Sequence, residues 1–442
     1  MGCRIAVFGT GYLGATHAAC MAELGHEVVG VDIDAAKLAR LADGEAPFYE
    51  PGLDEVLKSN ITAGRLRFTS SYEEAADFAD IHFIGVATPQ KRGEFAADVT
   101  YVDAVITTLA PLLVRPAMIL GKSTVPVGTA TRLSRLAQSI APAGEAVELA
   151  WNPEFLREGF AVQDTLHPDR IVLGVDVDRK GRIEEIARQV YSDIIEEGIP
   201  FLVTDRETAE LVKTAANAFL ATKISFINAM AEVCEAAGAD VTELADAIGY
   251  DARIGRRFLN AGIGFGGGCL PKDIRAFMAR AGELGANQAL TFLREVDSIN
   301  MRRRTKMMEM TREIAGGSLI GTRVAVLGAA FKPDSDDIRD SPALNIAGQI
   351  QLQGASVSVY DPKANSNSRK LFPTLDYANN VNEACNGADV TLVLTEWDEF
   401  RKLEPSELDP IVRSRRIIDG RNCLDQTKWR SSGWVYRGMG RR

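Results

Sequence analysis

An apolar run at Arg4–Phe8 ends in Gly9-Thr10-Gly11-Tyr12-Leu13-Gly14, and a helical stretch from Ala15 to Leu24 follows at once. A strand that turns this sharply into a helix admits few folds. Gly9 permits the tight turn, Gly11 lets backbone approach a pyrophosphate, and Gly14 lets the helix pack on the strand, while the helix N-terminus offers its N–H groups to an anion. The motif alone is weak. Asp32 strengthens it, standing 18 residues beyond Gly14 at the end of Val28-Val29-Gly30-Val31. There a carboxylate accepts ribose hydroxyls and repels a 2′-phosphate, which predicts NAD rather than NADP.

Further short β-rich runs alternate with helical stretches at Leu66–Thr69, Ile81–Val86, Met118–Leu120, Val147–Ala150 and Ile171–Leu173. Alternation of this kind predicts a mostly parallel sheet covered by helices. From Glu207 to Ala237 the chain becomes Ala-rich, with no Pro or Gly, and Asn287–Ile314 resumes that helical character. A second strand–helix series runs through Arg323–Leu327, Val357–Tyr360, Val390–Leu394 and Ile417–Ile418. The expected fold is α/β, two Rossmann-like doubly wound domains joined by a long central helix. Its expected divisions are an NAD-binding domain at 1–205, a helical dimerisation domain at 206–315 and a smaller doubly wound domain at 316–442. A central helix apolar on more than one face needs cover, from a second subunit or from within its own.

With 46% hydrophobic and 25% charged residues, and no apolar run long enough to cross a bilayer, the composition is that of a soluble globular chain. A net charge of -10 gives no general attraction to nucleic acid or anionic membrane. Six cysteines without a Cys-x-x-Cys, and four scattered histidines, signal neither a disulfide framework nor a metal site. The opening Met-Gly-Cys-Arg enters a strand with no export signal, so a cytoplasmic location is expected.

Gly262-Ile263-Gly264-Phe265-Gly266-Gly267-Gly268-Cys269-Leu270-Pro271-Lys272-Asp273 carries five glycines in seven residues. So many glycines imply close backbone approach. Pro271 suits a helix's first turn, which places Cys269 at or just before an N-terminus, where thiolate is favoured, with Asp273 one turn on. An inert buried cysteine is the competing reading. Lys213 and Asn217 share the same one-turn spacing, so an ammonium and an amide project from one helix face; together they can hold water or stabilise an oxyanion, or simply be solvated.

Taken together with Thr88-Pro89, Lys122-Ser123-Thr124-Val125-Pro126, Asn152-Pro153-Glu154-Phe155-Leu156, Phe331-Lys332-Pro333 and Asp419-Gly420-Arg421, these residues resemble the UDP-glucose/GDP-mannose dehydrogenase family over nearly the whole chain. The resemblance implies a homodimer through the central helix and four-electron oxidation of a nucleotide sugar, with NAD as oxidant. Cys269 would trap the C6 aldehyde and carry the thioester. Lys213 would stabilise oxyanions, Asn217 and Asp273 would place water and tune proton transfers, and Thr124 and Glu154 would complete the hydrolytic site. Gly9, Gly11, Tyr12, Leu13, Gly14, Asp32 and Lys37 would hold the adenosine half of NAD, with Thr88, Thr124, Glu158, Lys272 and Arg339 around the rest. The sugar nucleotide would contact Glu154, Phe155, Leu156, Arg157, Glu158, Lys213 and Asn217, then Phe258, Leu259, Asn260, Gly262, Phe265, Gly266, Lys332 and Arg421. Arg253 would reach in from the neighbouring subunit.

Arg253-Ile254-Gly255 and Asp419-Gly420-Arg421-Asn422 resemble the UDP-glucose branch, with GDP-mannose the nearest competitor. Gly268 stands where Ser is common, Leu270 where Phe often follows, and Lys37 where some members carry Arg. Two other classes compete: a two-electron hydroxyacid or 6-phosphogluconate-type dehydrogenase using Lys213 and Asn217, with no task for Cys269, and a non-catalytic sensor of NAD and sugar nucleotide.

Overall fold

Runs such as Ile5-Ala6-Val7-Phe8 and Met118-Ile119-Leu120 are apolar on both faces, which suits parallel strands covered on each side. In the computed structural model, which describes residues 2–177 and 181–441, they become the centre of an eight-stranded sheet. Its strands are β1 (Arg4–Phe8), β2 (Glu27–Val31), β3 (Leu66–Thr69), β4 (Ile81–Ile84), β5 (Ala117–Gly121), β6 (Val147–Trp151), β7 (Ile171–Val175) and β8 (Phe201–Asp205). Their order is β3-β2-β1-β4-β5-β6-β7-β8, so the winding reverses beside β1, the strand that ends at Gly9. Ligands of open α/β sheets bind at such reversals. Pairing is parallel except between β6 and β7, where Trp151 opposes Gly174 antiparallel.

Alternate residues of each strand face opposite sides. Ile5 and Val7 join one apolar cluster with Leu53, Phe83 and Leu173, while Ala6 and Phe8 join another with Ile84, Ile119 and Trp151. Each fully buried Phe or Ile contributes about 1.5–3 kcal/mol.

The second sheet consists of β9 (Arg323–Leu327), β10 (Ser356–Tyr360), β11 (Asp376–Tyr377), β12 (Val390–Val393), β13 (Arg416–Asp419) and β14 (Val435–Gly438). It is parallel throughout, in the order β11-β10-β9-β12-β13-β14. Relative to its first strand, this winding repeats the first six strands of the larger sheet.

In sequence between the strands of the two sheets, Arg206–Ala237 is one 32-residue helix without an internal breaker. The chain divides into two compact units, Met1–Ala216 with Arg275–Gly285, and Asn217–Ile274 with Ala286–Arg442. The long helix starts in the first and continues in the second. Among the described residues, no helix is long and apolar enough to cross a membrane.

Several bounds differ from the sequence reading. The first helix begins at Tyr12 rather than Ala15, β4 ends at Ile84 rather than Val86, and the helix expected from Asn287 begins at Phe292 after a series of turns. Gly85 ends a strand that apolar content alone extends.

Candidate active site

Gly9 adopts φ 86°, and a Cβ there would lie 2.7 Å from the Val86 side chain. At Gly14 a Cβ would lie 1.7 Å from the Gly9 carbonyl oxygen, so no side chain fits. Gly11 differs, with open space beside it. It caps the helix Tyr12–Glu23 without a side-chain hydrogen bond, leaving an anion cradle at the helix N-terminus that fits a pyrophosphate. Tyr12 and Leu13 form the first turn, both half-buried.

Asp32 Oδ2 accepts from Thr10 N at 2.8 Å, Thr10 Oγ1 at 2.9 Å and Lys37 Nζ at 2.8 Å, and Oδ1 accepts from Asp34 N. Burial pushes this carboxyl up, but Lys37 and the amides outweigh it and hold it below the usual range. The charge that would repel a 2′-phosphate is thus secured.

The Tyr12 hydroxyl bonds Glu50 and accepts from Gly159 N at 3.0 Å. Glu50 also accepts from Gly159 N and Ala161 N, each at 2.6 Å. A buried carboxylate therefore ties the glycine-rich turn to the loop after β6. On that loop Glu158 is buried and Arg157 is held by Asp164 at 2.6 Å. Arg170 covers the Phe155 ring at 3.8 Å, and Leu156 N donates to Glu154 Oε2 at 2.7 Å.

Glu154 Oε1 meets Lys213 Nζ at 2.9 Å, with side chains 12% and 6% exposed. Thr88 Oγ1 donates to the Thr124 carbonyl at 2.7 Å, joining the loops after β4 and β5. One turn before Lys213, Glu210 accepts from Gly128 N and Ala130 N at the start of the helix Thr129–Ile140.

In the second unit, Cys269 directly precedes the helix Leu270–Glu283, and Asp273 N donates to its carbonyl. Of the six cysteines, Cys269 is the exposed one, while burial pushes the thiols of Cys3, Cys20, Cys234, Cys385 and Cys423 up. Those five are held as thiols; Cys269 has the accessible sulfur that a nucleophile needs. Asp273, 1% exposed, accepts from Asn217 Nδ2 at 2.7 Å and contacts Lys272 Nζ. Asn217 is therefore oriented by a carboxylate.

The glycine run is gripped by the protein itself. A Cβ at Gly262 would meet the Gly420 carbonyl at 2.7 Å, one at Gly266 the Asp340 carbonyl at 2.4 Å, and one at Gly268 the Arg339 guanidinium at 2.2 Å. Gly267, at φ 85°, lies against Phe331 and donates to the Arg339 carbonyl. The residues without Cβ let two loops close on the segment leading to Cys269. Arg339 itself chelates Asp337, and Lys332 Nζ lies 5.8 Å from the Phe331 ring centroid.

Arg421 is 14% exposed and far from a surface cation: it donates to the carbonyls of Leu394, Gly264 and Phe331 and faces Glu396 at 3.3 Å. Asn300 holds Phe265 by both backbone groups, and Asn228 and Arg303 hold Gly262. Leu259 is buried, Asn260 accepts from Arg256, and Phe258 adopts φ 66°. Among the described residues the other non-glycine positions at positive φ are Asp334, Asp340 and Asn422, all in loops of this unit, and such strain concentrates at functional sites. Arg253 stands apart, 89% exposed and paired to Asp251.

Domain models of one family match the chain in order: its NAD binding domain over residues 3–195, its central domain over 207–302 and its UDP binding domain over 325–426. The chain belongs to the UDP-glucose/GDP-mannose dehydrogenase family. The first of its two sheets is that family's NAD-binding domain. Among similar proteins, the UDP-glucose 6-dehydrogenase of Rhizobium meliloti is 41% identical over 438 residues, 99% of each chain. TuaD, a UDP-glucose 6-dehydrogenase of Bacillus subtilis, is 40% identical over 99% of this chain and 93% of its own. A UDP-glucose dehydrogenase structure from Pyrobaculum islandicum superposes with a TM-score of 0.91 at 35% identity, covering 100% of this chain and 98% of that one.

Glu50 and Glu210 brace loops of the first unit, and Asn228, Asn300 and Arg303 brace the glycine run of the second, without having been singled out by sequence. Asn228, Asn300 and Arg303 lie inside long helices, and their buried polar groups in otherwise packed segments were the available signal.

Proposed function

We propose that the chain is a UDP-glucose 6-dehydrogenase, oxidising the C6 alcohol of UDP-glucose to a carboxylate through a thioester on Cys269. The observation that carries the reading is an exposed Cys269 at a helix start, one turn from the buried Asp273–Asn217 pair. A dehydrogenase that stopped at two electrons would have no use for that sulfur.

Bound NAD supplies the acceptor for one hydride from C6 in each oxidation. The first oxidation, in which the hydroxyl proton passes to the water that Asn217 and Asp273 hold, leaves an aldehyde, and the Cys269 thiolate adds to its carbonyl carbon to give a thiohemiacetal oxyanion. Lys213 offsets the negative charge on the former carbonyl oxygen. Loss of the second hydride leaves a thioester; water then adds to the acyl carbon and the sulfur departs with its electron pair. Asn217 and Asp273 position that water, and Glu154 with Thr124 completes the hydrolytic set, receiving its proton. Asp32 and Lys37 hold the adenosine ribose, and Thr88, Glu158, Lys272 and Arg339 line the remainder of the cofactor site. Residues 154–158 and 258–266, with Lys332 and Arg421, hold the sugar nucleotide.

A homodimer through the long helix is part of the same reading. Phe219, Phe226 and Val233 are 66%, 48% and 56% exposed, at seven-residue intervals along it. Residues at that spacing form one apolar stripe, which a second copy would cover. Arg253, exposed on the same unit, is the residue offered to the partner. Free thiols support a reducing, cytoplasmic setting.

Incubating the protein with NAD and, separately, UDP-glucose, GDP-mannose and UDP-N-acetylhexosamines tests the substrate. The highest kcat/KM is expected with UDP-glucose; a preference for GDP-mannose would overturn that assignment.

A further inference from the structure

Two neighbouring strands lead to loops carrying candidate hydrolytic residues: Lys122-Ser123-Thr124 follows β5 and Asn152-Pro153-Glu154 follows β6. Lys122, 8% exposed, directs its ammonium to Asn152 Oδ1 at 2.9 Å and the Tyr191 hydroxyl at 3.3 Å. The Tyr191 hydroxyl donates to the same Asn152 oxygen at 2.6 Å, and Asn152 Nδ2 donates to the Val172 carbonyl at 2.8 Å. Both ends of the Asn152 amide are thus fixed two residues before Glu154.

Holding an ammonium here is costly, because burial penalises charge. Burial pulls Lys122 down to about 8, and Glu154 is the charge that opposes this. The ring centroids of Phe83 and Tyr191 lie 5.7 and 5.8 Å from Lys122 Nζ, adding cation–π attraction. His17, whose ring edges onto Phe83, is kept neutral by burial and by Lys122. A methionine would fill the same space without the desolvation penalty. What the ammonium adds is a bond between the two strand ends and a positive field near Glu154.

We propose that Lys122 is a positioning residue: by clamping Asn152 it sets the loop that presents Glu154 to Lys213, and so governs release of the acyl group without touching substrate. This rests on the thioester reading of Cys269.

The test compares full-length wild type, Lys122→Met, Tyr191→Phe and Glu154→Gln by stopped-flow NADH formation and by intact mass after acid quench. In Lys122→Met the first-turnover NADH burst and the kcat/KM for UDP-glucose are expected to stay near wild type. Its kcat is expected to fall by roughly tenfold to a hundredfold, with an acyl adduct building up on Cys269. Tyr191→Phe, which removes one hydroxyl, is expected to move the same way by a smaller factor and carries the test should Lys122→Met not fold. An unchanged kcat in both, or a kcat loss with an equal loss of burst and no adduct, would overturn the proposal. An adduct in Glu154→Gln but not in Lys122→Met defeats this inference alone; no adduct in any of them defeats the thioester reading.

Discussion

Lys213 Nζ and Glu154 Oε1 lie 2.9 Å apart, both side chains nearly removed from solvent. The pair sets the proposed hydrolytic carboxylate directly against the ammonium proposed to face an oxyanion. Glu154→Gln keeps the shape and removes the proposed base. Its kcat is expected to fall by roughly 100-fold or more, with hydrolysis slowed more than the hydride steps, as rapid-quench product analysis can check.

Breaking the pair from the other side affects stability as well. Lys213→Met leaves Glu154 buried opposite an apolar side chain, and removing one partner of a buried pair costs about 3–5 kcal/mol. The slight exposure of Glu154 places the expected loss near the lower figure, read from urea unfolding. A Lys213→Met, Glu154→Gln double variant is expected to recover part of it.

Glu210 gives the fold a pH dependence. Burial raises its carboxyl to about 7, although the Gly128 and Ala130 amides pull it back. With the unfolded value at 4.5, the native state binds the extra proton between those two points. Stability from this group is therefore full below 4.5 and lost as pH rises through 7, by up to about 3 kcal/mol. Glu210→Gln is expected to flatten the fall in Tm between pH 5 and 8 relative to wild type.

Arg421 holds three carbonyls from separate loops, one of them Gly264 in the run leading to Cys269. Arg421→Ala is expected to cost at least about 2 kcal/mol, since bonds from charged donors contribute about 1.5–3 kcal/mol each and are not additive. Its KM for the sugar nucleotide is expected to rise while the KM for NAD stays close to wild type. Arg421→Lys, which cannot span three acceptors, should resemble Arg421→Ala.

The sequence revealed those parts of the molecule in which one local rule decides. Glycines 9, 11 and 14 needed only the turn rule, and Pro271 placed Cys269 at a helix start that the structure also has. Strands β8, β11 and β14 escaped because they are edge or very short elements, with burial that is partial or alternating rather than continuous. The five glycines before Cys269 announced a close approach, but not that Gly420, Phe331, Arg339 and Asp340 make it. Contacts across 64 to 158 residues leave no periodic trace. Glu50 escaped for a related reason, and Lys122 was read only as part of a motif, without a role: a charged side chain reads as surface until the fold buries it.

The thioester mechanism requires that sulfur carry the sugar through its second oxidation. Counting NADH formed against UDP-glucose consumed, for wild type and Cys269→Ala side by side, addresses this directly. The expected result is two NADH per sugar for wild type and loss of uronate formation in Cys269→Ala. One NADH per sugar with an alcohol-to-aldehyde change as the end point, or undiminished uronate from Cys269→Ala, would contradict it.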